Sequence, residues 1–136
     1  MSAPARSPTG AIQDALYQRL SEDPDLGADV YDDVPEGAEG PYVDIGEAIE
    51  TPAGSHDRYG RETTVTLHVW DRALRFGGVT DIGDRITELL DHQPLPLAGP
   101  WRTISVRHEF AQTLRDPNPR WRHLIMRFRI TTEQEK

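Results

Sequence analysis

Residues 61–72 read RETTVTLHVWDR. Thr63, Val65, Leu67 and Val69 share one parity, and Glu62, Thr64, Thr66, His68, Trp70 and Arg72 share the other. Unbroken alternation in a run rich in β-branched residues marks a strand with one face on a core and one face towards water. A sheet built from such strands is covered on one side only.

Working outward, residues 41–50, PYVDIGEAIE, alternate as well. Val43, Ile45 and Ile49 are expected on one face, and Asp44, Gly46 and Glu50 on the other. The connection TPAGSHDRYG (51–60) is turn-rich and long for a hairpin, a length often given to function. Downstream, WRTISVRHEFAQTLRD (101–116) places Ile104, Val106, Phe110 and Leu114 on one side. DPNP (116–119) then turns the chain. A final strand over 120–132 presents Leu124, Met126, Phe128 and Ile130 to the core. Trp121, His123, Ile125, Arg127 and Arg129 take its other face. Arg120 and Arg122 share the core parity, and are expected beyond the packed layer at the strand's entry.

Two helices complete the pattern. Ile12, Ala15, Leu16 and Leu20 recur at helical spacing over 9–22, with Thr9 as a candidate N-cap and DPDLG as the stop. Val79, Ile82, Ile86, Leu89 and Leu90 form a stripe over 77–92. Val30 and Tyr31 can add a short edge strand before an acidic Pro/Gly loop. The order αββαββ predicts an α+β fold. Its sheet is mostly antiparallel and four-stranded, with both helices on the face of Val65, Leu67, Ile104, Val106, Leu124 and Phe128. The expected organisation is a flexible arm over 1–8, a single domain over 9–132 and a C-terminal tail over 133–136.

Composition narrows the chemistry. The 136-residue chain has no cysteine, which excludes thiol catalysis and thiolate metal sites. No apolar run approaches a membrane span, and the N-terminus lacks a signal-peptide h-region. No membrane partner is expected. The net charge is −8, split as −11 over residues 1–57 and +3 over 58–136. That split suits either pairing within the subunit or head-to-tail contact between copies.

Enzyme signatures are lacking. Ser55, His56 and Asp57 are adjacent in sequence, the wrong geometry for a catalytic triad. Asp32 and Asp33 read as a solvated turn. His68, His108 and His123 could meet across strands as a histidine-only metal site, and a small metal-binding enzyme is the alternative from another functional class. No cofactor is implied. The arginines of RWRHLIMRFRI (120–130) interleave with Trp121, but the overall acidity opposes autonomous nucleic-acid binding. Acids of a neighbouring strand or subunit are the expected partners of Arg127 and Arg129.

VYDDVPEGAEGPYVDIGE (30–47), TLHVWDR (66–72) and TLRDPNPRWRHLIMRFRI (113–130), in that order, resemble the tail completion, or tail terminator, family of long-tailed bacteriophages. These are head-to-tail joining proteins, found also in prophages and gene transfer agents. The resemblance spans about residues 10–132. It implies a structural virion protein that assembles in the host cytoplasm as a homo-oligomeric ring, most often a hexamer, at the head-proximal end of the tail. Such a ring ends tube growth, meets the tail tube protein and the head–tail connector, and lets DNA pass through its lumen. Another connector or a tube subunit is the alternative at the same junction. Trp70, Arg72, Trp121, His123, Arg127 and Arg129 are the candidates for the subunit interface. Asp32, Asp33 and the loop residues Ser55, His56, Asp57 and Arg58 are the candidates for contacting the tube or connector, or for lining the lumen.

Overall fold

The computed structural model describes residues 4–54, 58–73 and 75–135. The elements follow the order α1 (Thr9–Ser21), β1 (Asp29–Tyr31), β2 (Tyr42–Pro52), β3 (Tyr59–Arg72), α2 (Gly77–Leu90), β4 (Trp101–Arg115) and β5 (Trp121–Gln134). They form one five-stranded sheet in the order β1-β2-β3-β5-β4. β2, β3, β5 and β4 alternate in direction, while β1 pairs parallel to β2. The sheet is therefore mixed and five-stranded, where four mostly antiparallel strands were expected. The added strand is the short Val30–Tyr31 edge.

Both helices pack on one face. Ile12, Leu16 and Leu20 of α1 and Val79, Ile82, Ile86 and Leu90 of α2 are buried there. Beneath them lie Val43, Val65, Leu67, Val69, Val106, Leu124, Met126, Phe128 and Ile130. Gly83 lets α2 approach closely, because a Cβ there would stand 2.5 Å from Leu124 Cδ2. Thr9 is the first residue of α1 and does not cap it. The cap position is Pro8, and the Thr9 hydroxyl donates instead to Glu50 at 2.7 Å. Asp23, just past α1, ties the two helices together. Its carboxylate takes two hydrogen bonds from Arg85 of α2, at 2.7 and 2.9 Å. This bidentate pair holds the Asp23 carboxyl below its usual pKa.

Bulges overturn part of the expected facing. β2 shifts register between Ile45 and Ala48, which reverses the parity of the rest of the strand. Ile49, expected in the core, is 66% exposed. β4 shifts twice, between Thr103 and Ser105 and between His108 and Phe110. Ile104 is turned out at the first irregularity and is 50% exposed. After the second, Phe110 and Leu114 stand level with Arg127 and His123, on the uncovered face. β3 and β5 pair without a bulge from Tyr59–Gln134 to Arg72–Trp121, and their expected facing holds.

Arg122 is also corrected. It keeps core parity, but it is only 6% exposed and does not sit beyond the packed layer. Its guanidinium lies 5.2 Å from the Phe76 ring centroid and donates to the carbonyls of Pro119 and Trp121. Carbonyl partners and an aromatic face allow the charge to stay under the sheet's end.

The β2–β3 connection is shorter than its sequence implied, since the ladder runs to Pro52–Arg61 and Ala53 N–H donates to Gly60 O at 2.9 Å. At the other end of the chain, β5 continues through Gln134, two residues past the expected boundary. The buried Gln134 side chain accepts from Arg6 N–H at 2.7 Å and donates to Pro4 O at 2.8 Å. Residues 4–6 are thereby held beside the end of β5. No described helix is long and apolar enough to cross a membrane.

Candidate functional site

The face that the helices leave bare carries an aromatic band across four strands. It begins at Tyr31 on β1 and passes through Tyr42 on β2, Trp121 on β5 and Trp70 on β3. Successive ring centroids are 5.9, 6.0 and 6.2 Å apart, all in edge-to-face contact. Register explains the clustering: Tyr42 stands opposite Trp70, Trp70 opposite His123, and Arg72 opposite Trp121. Trp70 stacks on His123 with centroids 3.7 Å apart and planes 10° from parallel. The Arg72 guanidinium lies 5.8 Å from the Trp121 ring and 3.8 Å from Glu39. Edge-to-face and stacked pairs of this kind each add roughly 0.5–1.5 kcal/mol beyond their burial.

His123 also meets His68, with His68 Nδ1 2.8 Å from His123 Nε2. The ring centroids are 5.0 Å apart, so the imidazoles approach nearly edge to edge. That is the geometry of a hydrogen bond, in which one ring donates and the other accepts. Two imidazoles chelating one ion instead turn both lone pairs to a point beside the N–N line. Burial, followed by the nearby His68, lowers the His123 pKa to about 4. Glu47 approaches the other nitrogen of His68 at 3.5 Å. Burial raises the Asp44 and Tyr42 pKa values.

The three-histidine grouping that the alternative, metal-binding reading requires does not form. His108 stands opposite the buried Phe128, with ring centroids 5.2 Å apart, on the helix-covered face. There it lines an open groove of about 300 Å³ with Gly83, Asp84, Leu124 and Met126. Among the described residues, no group of three or more His, Asp or Glu side chains is placed to hold a metal.

The arginines divide. Arg129 is bridged within the chain, to Glu109 of β4 at 2.6 Å and to Glu62 of β3 at 3.7 Å. Arg127 lies over Phe110, 5.2 Å from its centroid. Other ion pairs join the acidic N-terminal part to the basic remainder: Asp23–Arg85, Glu50–Arg61 and Glu39–Arg72. The charge split is thus met in part inside the subunit.

The two loop groups expected from sequence to contact the tube, connector or lumen lie apart. Asp32 and Asp33 follow β1, beside the start of β2, whereas Ala53, Gly54 and Arg58 lie beyond its far end. Ser55, His56 and Asp57 lie outside the described residues. Arg58 is exposed and bridges Glu133 at 3.2 Å. Sequence reasoning missed the outward turn of Ile49 and Phe110. Gly46, a glycine inside a strand pattern, was the one signal for the first bulge.

The fold is shared with a chain from a structure titled "Virion of native gene transfer agent (GTA) particle", with a TM-score of 0.86 and 26% sequence identity. The match covers 95% of this chain and 99% of that one. No curated protein sequence matches the chain. The family model described as tail completion protein gp17 matches residues 14–133. That span takes in the latter part of α1, all of α2 and nearly the whole sheet, and the chain belongs to the tail completion protein gp17 family.

Proposed function

We propose that this tail completion protein forms a closed, six-membered ring at the head-proximal end of a phage-like virion tail. There it ends tube growth and joins the tail to the head connector. The observation that carries this reading is the match over residues 14–133, together with the likeness of nearly the whole chain to one from a gene transfer agent virion. The architecture is in keeping with it. A single sheet covered on one side leaves a broad face for other subunits, and Trp70, Arg72, Trp121, His123, Arg127 and Arg129 stand on that face. The role is structural and needs no catalysis, metal or cofactor. DNA passes through the lumen without sequence readout. The exposed acids Asp32 and Asp33 and residues 55–58 meet the lumen, the tube or the connector.

Negative-stain images of the purified protein test this. Single rings of one diameter support a terminator, while long tubes identify a tube subunit in its place. Reversing Arg127 and Arg129 to glutamate leaves Glu62 and Glu109 facing new acids. We expect the ring to disperse, and an unchanged ring mass by light scattering would count against a subunit contact at these two arginines.

A further inference from the structure

We infer that neighbouring copies join edge to edge, the open end of β4 in one copy pairing antiparallel with the open end of β2 in the next. This rests on the ring reading above and specifies how the ring closes.

The sheet has two unfilled edges. On one side, β1 pairs only with residues 42–44 of β2, which leaves 45–52 with a neighbour on the β3 side alone. On the other side, β4 is the last strand. The chain itself covers the first part of its rim. His92 N–H donates to Val106 O at 2.9 Å, His108 N–H donates to Asp91 Oδ1 at 2.8 Å, and the Thr103 hydroxyl donates to Leu95 O at 2.6 Å. At the bulge His108 Nε2 lies 3.1 Å from Phe110 O, and past it no such cover is found among the described residues, where 111–113 and 115 are exposed. Long uncovered edges are templates for another strand, and proteins that leave them open commonly use them.

Three further observations point to a second copy as the occupant. Of the large hydrophobic side chains described as exposed, Ile49 lies in the open part of β2 and Phe110 in the open part of β4. Both stand on the uncovered face, so edge pairing brings them to one side of the seam. Charge is complementary at the exposed groups, since the open part of β2 carries Glu47, and Arg115 and Arg127 lie in or beside that of β4, Glu50 and Arg129 being paired within the subunit. Direction also fits. The run β2, β3, β5, β4 alternates strictly, so repeating it around an axis keeps every pair antiparallel, the seam included.

The offset between the edges is that of a closed sheet. Gln112 is level with Ile125, Ile125 with His68, and His68 with Asp44. The middle of the open β2 stretch, Ile49, is level with Thr64, about four residues further along β3 once the bulge is allowed for, or roughly 13 Å at ~3.3 Å per residue. The four-strand repeat is about 19 Å wide at ~4.8 Å per strand. Closing a ring with that stagger tilts the strands by about 35°, at the lower end of the roughly 35–45° typical of closed sheets.

The test uses Ile49→Asp and Phe110→Asp, both at exposed positions, with circular dichroism to establish folding. Ile49→Lys and Phe110→Lys replace either variant that fails to fold. The wild type should sediment as a ring and each single variant as a monomer. An equimolar mixture should stop at dimers, because each variant keeps one intact edge. In the wild-type ring, amide exchange over 45–52 and 109–115 should slow by about tenfold or more relative to the monomeric variants. A wild-type ring that persists in both variants, or equal exchange in ring and monomer, overturns edge pairing and leaves the ring standing. A wild type that stays monomeric at all concentrations overturns both.

Discussion

Replacing His123 with glutamine should remove much of the fold's sensitivity to mild acid. The half-buried imidazole has its pKa lowered to about 4, by burial and then by His68, against about 6.5 in an unfolded chain. Between these values the unfolded chain binds a proton that the folded chain refuses. Stability therefore rises with pH across that window: it is fully present above about pH 6.5 and is lost as pH falls towards 4. At ~1.4 kcal/mol per pKa unit the shift sets a ceiling of about 3 kcal/mol. Because this face is open to solvent, which screens the charge, we expect about 1–2 kcal/mol. The groups facing the pair are Asp44 and Glu47 from β2, Asp116 from the β4–β5 turn and Arg127 from β5. Glu47 has a lowered pKa, first through a backbone hydrogen bond and then through His68, so its contribution is lost only at lower pH. Urea unfolding of both proteins near pH 7, 5.5 and 4.5, at one fixed protomer concentration, isolates the histidine. The wild type should lose about 1–2 kcal/mol more than His123→Gln over that range. Equal losses would refute the assignment of the acid sensitivity to this buried ring.

Two further substitutions probe the packing. Phe128→Ala empties a fully buried site at the centre of β5 and should cost about 3–5 kcal/mol in denaturant unfolding. Gly40→Ala should cost about 1–2 kcal/mol by the same measurement, because φ is +73° there and a Cβ would stand 3.2 Å from Trp70 O.

The sequence was most legible where strands have neighbours on both sides. β3 and β5 alternate without interruption because each is paired along its length, and a one-residue slip would expose the whole core face. Both helices showed their buried stripes because one side of each packs on the sheet at helical spacing. Legibility failed along β2 and β4, the long strands nearest the sheet's rims. β2 carries one register shift and β4 two, and the bulge after Ile45 turns Ile49 outward while that after His108 places Phe110 over the bare face. Pattern alone does not reveal that reversal, although Gly46 hinted at it. The site was read in part. Trp70, His123, Arg72 and Trp121 were grouped by parity alone. Their contacts depend on β5 lying beside β3, a long-range pairing that no local pattern encodes. Arg122 was misplaced because its burial depends on Phe76 and on the carbonyls of Pro119 and Trp121, none of which periodicity can see.

The strand order has a consequence for quality control. β5 comes after every other strand in the chain, yet it lies between β3 and β4. A polypeptide interrupted before Trp121 lacks the strand that joins β4 to the rest of the sheet, and the aromatic band lacks Trp121 and His123. Fragments and stalled chains would therefore present neither the β4 rim nor the complete bare face. If the ring closes through these surfaces as proposed, competence to join it would arrive in one step, when the last strand is inserted, and the topology itself would exclude incomplete subunits.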